Sequence, residues 1–213
     1  MKLSLFYLAL CLFFFSLYTF SQEHAQDFID QEAIRSQGSN LMLPKYAIPI
    51  RPSDFNNGTY IIKKPGYYFL TNDVYFGANF IKKQIKPCAN DPSFSQVFFA
   101  AIAITASDVI LNLNTRTLKM DDEFAEEQRF FALIELANSP FPPQTPPSFQ
   151  PLDGFISASN VKIMNGTLGR SSHHGIHGNN NKNVCIDNIS IMNWEVGGIS
   201  LNQCDGLTIT DVS

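Results

Sequence analysis

The chain has 213 residues, 45% of them apolar, and a formal net charge of −4. That apolar content supports a packed core and excludes a disordered or collagen-like chain. The acidic balance argues against nucleic acid and an anionic membrane surface as partners, because both demand a basic patch.

The first segment in chain order is MKLSLFYLALCLFFFSLYTFSQEH, in which Lys2 is the only charge before Glu23. Its apolar interval, with small residues Thr19 and Ser21 before a cleavage point, reads as a secretory signal peptide over residues 1–21. Residues 3–20 also approach the length of a membrane-spanning helix, so an uncleaved N-terminal anchor is the alternative. Either way the expected location is secreted or extracellular, with no membrane contact beyond that anchor. Residues 22–45 follow as a linker or short cap helix, the pattern DFIDQEAIRSQG ending at Gly38.

From residue 46 onward the pattern turns to short strands. Apolar residues alternate over short runs, as at Val184 and Ile186 and at Ile199 and Leu201, and the runs are broken by Gly, Asn and Asp. DDEFAEEQ reads as a short helix or solvated turn, and RFFALIELAN, residues 129–138, as a further strand. The Pro-rich stretch over residues 139–151 lacks ladder donors and reads as an exposed loop.

The strongest signal is a repeat. Under NVKIMNGTL from Asn160 lie NVCIDNISI from Asn183 and GLTITDVS from Gly206, each step 23 residues. Val161, Val184 and Leu207 share one column, Ile163, Ile186 and Ile209 another, and Asn165, Asn188 and Asp211 a third. Short strands repeating at this interval, none able to bury its apolar face alone, predict a solenoid in which each lap stacks on the last. The 52 residues from Asp108 to Asn160 then predict two laps with a small insertion.

On these Asn-Val-x-Ile segments the sequence resembles the right-handed parallel β-helix, or pectate-lyase-like, superfamily. The resemblance covers residues 100–213 best and implies an all-β solenoid domain over residues 46–213 with coils of about 23 residues and an N-terminal cap. Ser213 falls inside an expected strand, so a domain truncated at its C-terminus is expected.

With this register, Arg170, His173, His174, Trp194 and Glu195 converge on one bend of two adjacent laps. Ile176 points inward and His177 outward beside Ser200, as a surface residue. The catalytic candidates are Arg170, His174 and Glu195, and the substrate-binding candidates Trp194, His173 and His177. Trp offers a face for a pyranose ring, Arg a partner for a uronate carboxylate, and His or Glu a proton-transfer group. The structural alternative is that Gly175 and Gly178 permit tight turns, the histidines brace the bend and Trp194 packs a small satellite core.

No metal set is assigned to His173, His174 and His177, because adjacent side chains on an extended segment face opposite ways. No cofactor is expected. GIHG is similar to the Gly-His-Gly of the polygalacturonase branch of the fold, but the paired aspartates of that branch and the calcium-holding aspartates of pectate lyases are missing from the sequence.

The resemblance thus implies a polysaccharide or cell-surface glycan as partner. The chain is either a protein that binds or processes polysaccharide, as a lyase, hydrolase or epimerase if it is an enzyme, or a non-catalytic surface, matrix or adhesin-type protein. Asn57 is the expected glycan acceptor, since Asn165 and Asn188 should stack their amides along the solenoid axis. Cys88, Cys185 and Cys204 remain after the signal, with Cys185 on the outer face and Cys204 at a turn, too few for a disulfide scaffold.

Overall fold

A computed structural model describes residues 43–56, 58–77, 100–126, 132–140 and 154–213. The signal peptide, the cap helix, Asn57, Cys88 and most of the Pro-rich stretch lie outside the described residues. The unit from Pro44 onward is built of short parallel strands. In chain order these are β1 (Ile48–Ile50), β2 (Tyr60–Ile62), β3 (Gly66–Leu70), β4 (Val74–Phe76), β5 (Ala100–Ile104), β6 (Val109–Asn112) and β7 (Thr117–Met120). A short helix α1 (Asp122–Glu126) precedes β8 (Ala132–Glu135), β9 (Ser159–Leu168), β10 (His174–Asn179), β11 (Lys182–Ile191), β12 (Gly197–Asn202) and β13 (Asp205–Val212).

The chain passes back and forth between two sheets. One has eight strands, in the order β1-β3-β6-β9-β11-β13 with β4 and β7 beside that path, and the other runs β12-β10-β8-β5-β2. All pairings between named strands are parallel, so no strand pairs its immediate successor as a hairpin would. The architecture is all-β with parallel sheets and is compatible with a solenoid or β-helix.

Inward residues pile into columns between the sheets. Val109, Val161 and Val184 pair in register, as do Leu111, Ile163 and Ile186. The second sheet adds Ile102, Ile134 and Ile176. All of these are essentially inaccessible to water, and each such side chain contributes roughly 1.5–3 kcal/mol of transfer free energy. Val184 pairs with Leu207 and Ile186 with Ile209, as the repeat requires.

The corners explain the asparagines. Asp108, Asn160 and Asn183 have φ of 59°, 54° and 52°, and Gly206, next in that column, has 79°. Asn165, Asn188 and Asp211 form a second left-handed column at 59°, 53° and 50°. Asn and Asp tolerate this conformation best among residues with a Cβ. Their side chains then bond lap to lap: Asn188 Nδ2 donates to Asn165 Oδ1 at 3.0 Å and Asn183 Nδ2 to Asn160 Oδ1 at 2.9 Å.

Two expectations are corrected. Asp108 to Asn160 is one lap rather than two, since Val109 pairs directly with Val161 and Asn160 Nδ2 donates to Asp108 Oδ1. That lap carries α1, β8 and the Pro-rich stretch, and loop closure makes so large an insertion thermodynamically cheap. Gly175 and Gly178 are not turn residues but lie within β10. A Cβ on Gly175 would stand 2.5 Å from the Gly198 carbonyl oxygen, and one on Gly178 would strike the Asn181 amide. Close packing of neighbouring backbone and side chain requires these glycines.

Candidate functional site

The bend between β9 and β10 lies against the bend between β11 and β12. Ser171 bridges Trp194 in parallel register, Ser171 N–H donates to the Asn193 carbonyl, and His174 pairs with Gly197. The His173 carbonyl accepts from Val196 and Gly197 N–H at 3.0 and 3.3 Å, which locks the two bends together.

An open depression of about 560 Å³ lies at this junction, lined by Arg170, Trp194 and Glu195 together with Glu126 of α1, Ser171 and Ser172. Trp194 is 46% exposed. Its Nε1 lies 3.0 Å from where a Cβ of Gly198 would stand, so the glycine lets the indole lie close to β12. Arg170 Nη1 pairs with Asp122 Oδ1 of α1 at 3.0 Å, an exposed contact that steadies the guanidinium with little effect on stability.

The histidines lie deeper than expected. His177 does stand opposite Ser200, but it is buried rather than a surface residue, and His174 is buried too. The outer face of β10 is covered, and Asn179 Nδ2 on that face donates to the Pro140 carbonyl at 2.9 Å.

The expectation that His173 and His174 diverge also fails. His173 precedes the strand, so the alternation of an extended segment does not apply to it, and its Nδ1 lies 2.9 Å from His174 Nδ1. The His174 ring stacks on His177 with centroids 4.8 Å apart. Among the described residues no group of three His, Cys, Asp or Glu is placed to hold a metal ion.

Glu135, on β8, was not singled out from the sequence. It pairs with His177 across the sheet, its side chain is wholly buried, and its Oε2 is 2.7 Å from His177 Nδ1. Its other oxygen, Oε1, has no hydrogen-bond partner among the described residues. The available signal was a carboxylate inside the apolar run ALIEL, a residue type that is buried only when paired.

Burial raises the Glu135 carboxyl well above its usual 4.5 and lowers His177 from 6.5 to about 4. Both shifts disfavour the charged forms, as burial of a carboxyl and an imidazole together demands. His174 is also pushed down to about 4, by burial first and then by His173 and His177. His173 is lowered by burial and by His177, against the opposing pull of Glu195.

Of the six sequence candidates, Arg170, Trp194 and Glu195 line the depression, while His173, His174 and His177 run inward behind it. Cys185 pairs with Lys162 and Thr208 on β9 and β13, while Cys204 packs partly against the core. No family model, curated protein or solved structure matches this chain.

Proposed function

We propose that this is a secreted right-handed parallel β-helix protein of pectate-lyase-like architecture, with coils of about 23 residues, that binds or processes polysaccharide along its outer face. The observation that carries the reading is the half-exposed Trp194 indole in one depression with Arg170 and Glu195. An aromatic face stacks on the apolar face of a sugar ring while flanking charged groups hydrogen-bond its hydroxyls or carboxylate. The volume lies within the range of ligand sites, and its open form suits a linear chain lying across it. Asn57 is the proposed glycan acceptor.

The test is binding of the full chain to immobilised neutral and uronic-acid polysaccharides, with Trp194→Ala as the variant. Loss of binding by at least about tenfold, with thermal stability kept, is expected from removing a central aromatic anchor. Binding unchanged in Trp194→Ala, or none to any polymer, overturns the reading and favours a structural matrix or adhesin role.

A further inference from the structure

Four titratable side chains make a continuous row behind the depression. Glu135 Oε2 contacts His177 Nδ1 at 2.7 Å, the His177 and His174 rings stack with centroids 4.8 Å apart, and His174 Nδ1 lies 2.9 Å from His173 Nδ1. The inner end is fully buried, with a carboxyl oxygen that has no hydrogen-bond partner among the described residues. The outer end, His173, is half-buried, follows Ser172 of the depression lining and lies within electrostatic reach of Glu195.

A structural bend needs no such array. Polar groups are costly to bury, and an orphaned buried oxygen calls for an explanation in proton chemistry or ligand binding. The neighbours in the sheets are uncharged: Ala103 beside Glu135, Gly197 beside His174 and Ser200 beside His177. Asn179 and Pro140 on the covered face are uncharged too, and the described charges at the outer end include Glu195, Glu126 and the Arg170–Asp122 pair.

We propose that His173, His174 and His177, positioned from within by Glu135, act as one acid–base unit that accepts a single proton and exchanges it at His173 with a ligand held over Trp194. The ligand half rests on the glycan reading above; the unit itself does not. Adjacent imidazolium ions at these separations repel strongly in a partly dry site, so the second and third protons are excluded once the first is bound. Only a proton moves. A ligand O–H bond breaks with its electron pair kept by oxygen, an N–H bond forms on His173, and the reverse transfer restores both.

Glu135 is a positioning residue. Its carboxyl occupies His177 Nδ1 and thereby fixes which ring nitrogen is left for the rest of the row.

The experiment is an NMR titration of the ¹⁵N-labelled full chain, whose four histidines are few enough to assign. In His177→Gln the midpoint of His173 should rise by about one pH unit or more, the coupling at which groups titrate as a set. By reciprocity, His173→Gln should raise the midpoint of His177. Glu135→Leu should change the tautomer signature of the His177 nitrogens, and Glu135→Gln should restore it.

A His173 midpoint unmoved in His177→Gln, or uptake of three independent protons, overturns the unit. Should His177→Gln fail to fold, the reciprocal variant at the half-buried His173 decides the same point. For the ligand half the probe is an oligogalacturonide, which should shift the His173 midpoint on binding. Binding without that shift overturns exchange at His173 and leaves glycan recognition standing, whereas absence of glycan binding in the Trp194 experiment removes the ligand half alone.

Discussion

The two sheets handle polar residues differently. On the larger sheet Asn165 with Asn188, and Asn160 with Asn183, bond along the stack at its corners, and the buried Asn112 and Asp187 are paired, Asn112 donating to the Tyr67 hydroxyl and Asp187 held by Lys162 and Thr210. On the smaller sheet a row of polar groups is enclosed, with Glu135, His174, His177 and Asn179 all buried on strands β8 and β10. Exposed amide ladders save the backbone from strain and can exchange partners with water at little cost. Enclosed groups have no such recourse, so each must be paired or kept neutral. The comparison teaches that one stacking register yields scaffold on one side and reactive potential on the other.

Breaking the enclosed side has the larger expected effect. Glu135→Ala removes the partner of a buried imidazole and leaves a cavity, and should destabilise the fold by about 2–4 kcal/mol in urea denaturation. An effect below about 0.5 kcal/mol would show that water reaches the site.

The same region sets the pH response. Burial pushes His174 and His177 down from an ordinary 6.5 to about 4, and the row takes up at most one proton, so the unfolded chain binds more protons in that window. Stability should therefore fall as pH drops from about 6.5 to about 4. Glu135 shifts the other way: its stabilisation is complete below the ordinary carboxyl value of 4.5 and is lost as pH rises through its folded value. Glu135→Gln should abolish that loss at higher pH and keep the acid-side loss, as pH-dependent chemical denaturation would reveal.

The exposed side gives a smaller, separable effect. Asn188→Gly loses only an exposed amide bond, whereas Asn188→Ala must also hold Ala at a φ near 53°. Alanine should be less stable than glycine there by about 1 kcal/mol. Equal stabilities would mean that the corner relaxes out of the left-handed conformation.

Much of the scaffold was legible because its signal is periodic. A side chain that must stack on its counterpart one lap away leaves Val over Val and Ile over Ile at fixed spacing, and the paired Asn165 and Asn188 announced their ladder the same way. Loops carry no such constraint, so the single 52-residue lap from Asp108 to Asn160 read as two. That misreading hid Glu135, whose neighbour His177 lies 42 positions away instead of 23. The burial of His177 was equally hidden, because alternation tells which face a residue takes but not what covers that face. Arg170, Trp194 and Glu195 were grouped correctly, since their convergence depends only on the regular laps.

Residue-to-residue stacking of successive laps underlies the depression, the histidine row and the amide ladders alike, and a cross-link reads it directly. Cys185 pairs across the sheet with Lys162, and Cα atoms of such neighbours lie within the span a disulfide bridges. Mild oxidation of Lys162→Cys, followed by peptide mapping, should link position 162 to Cys185, while Lys119→Cys, on a different strand and column, should not. Linkage from position 119 and none from 162 would contradict the register on which the account stands.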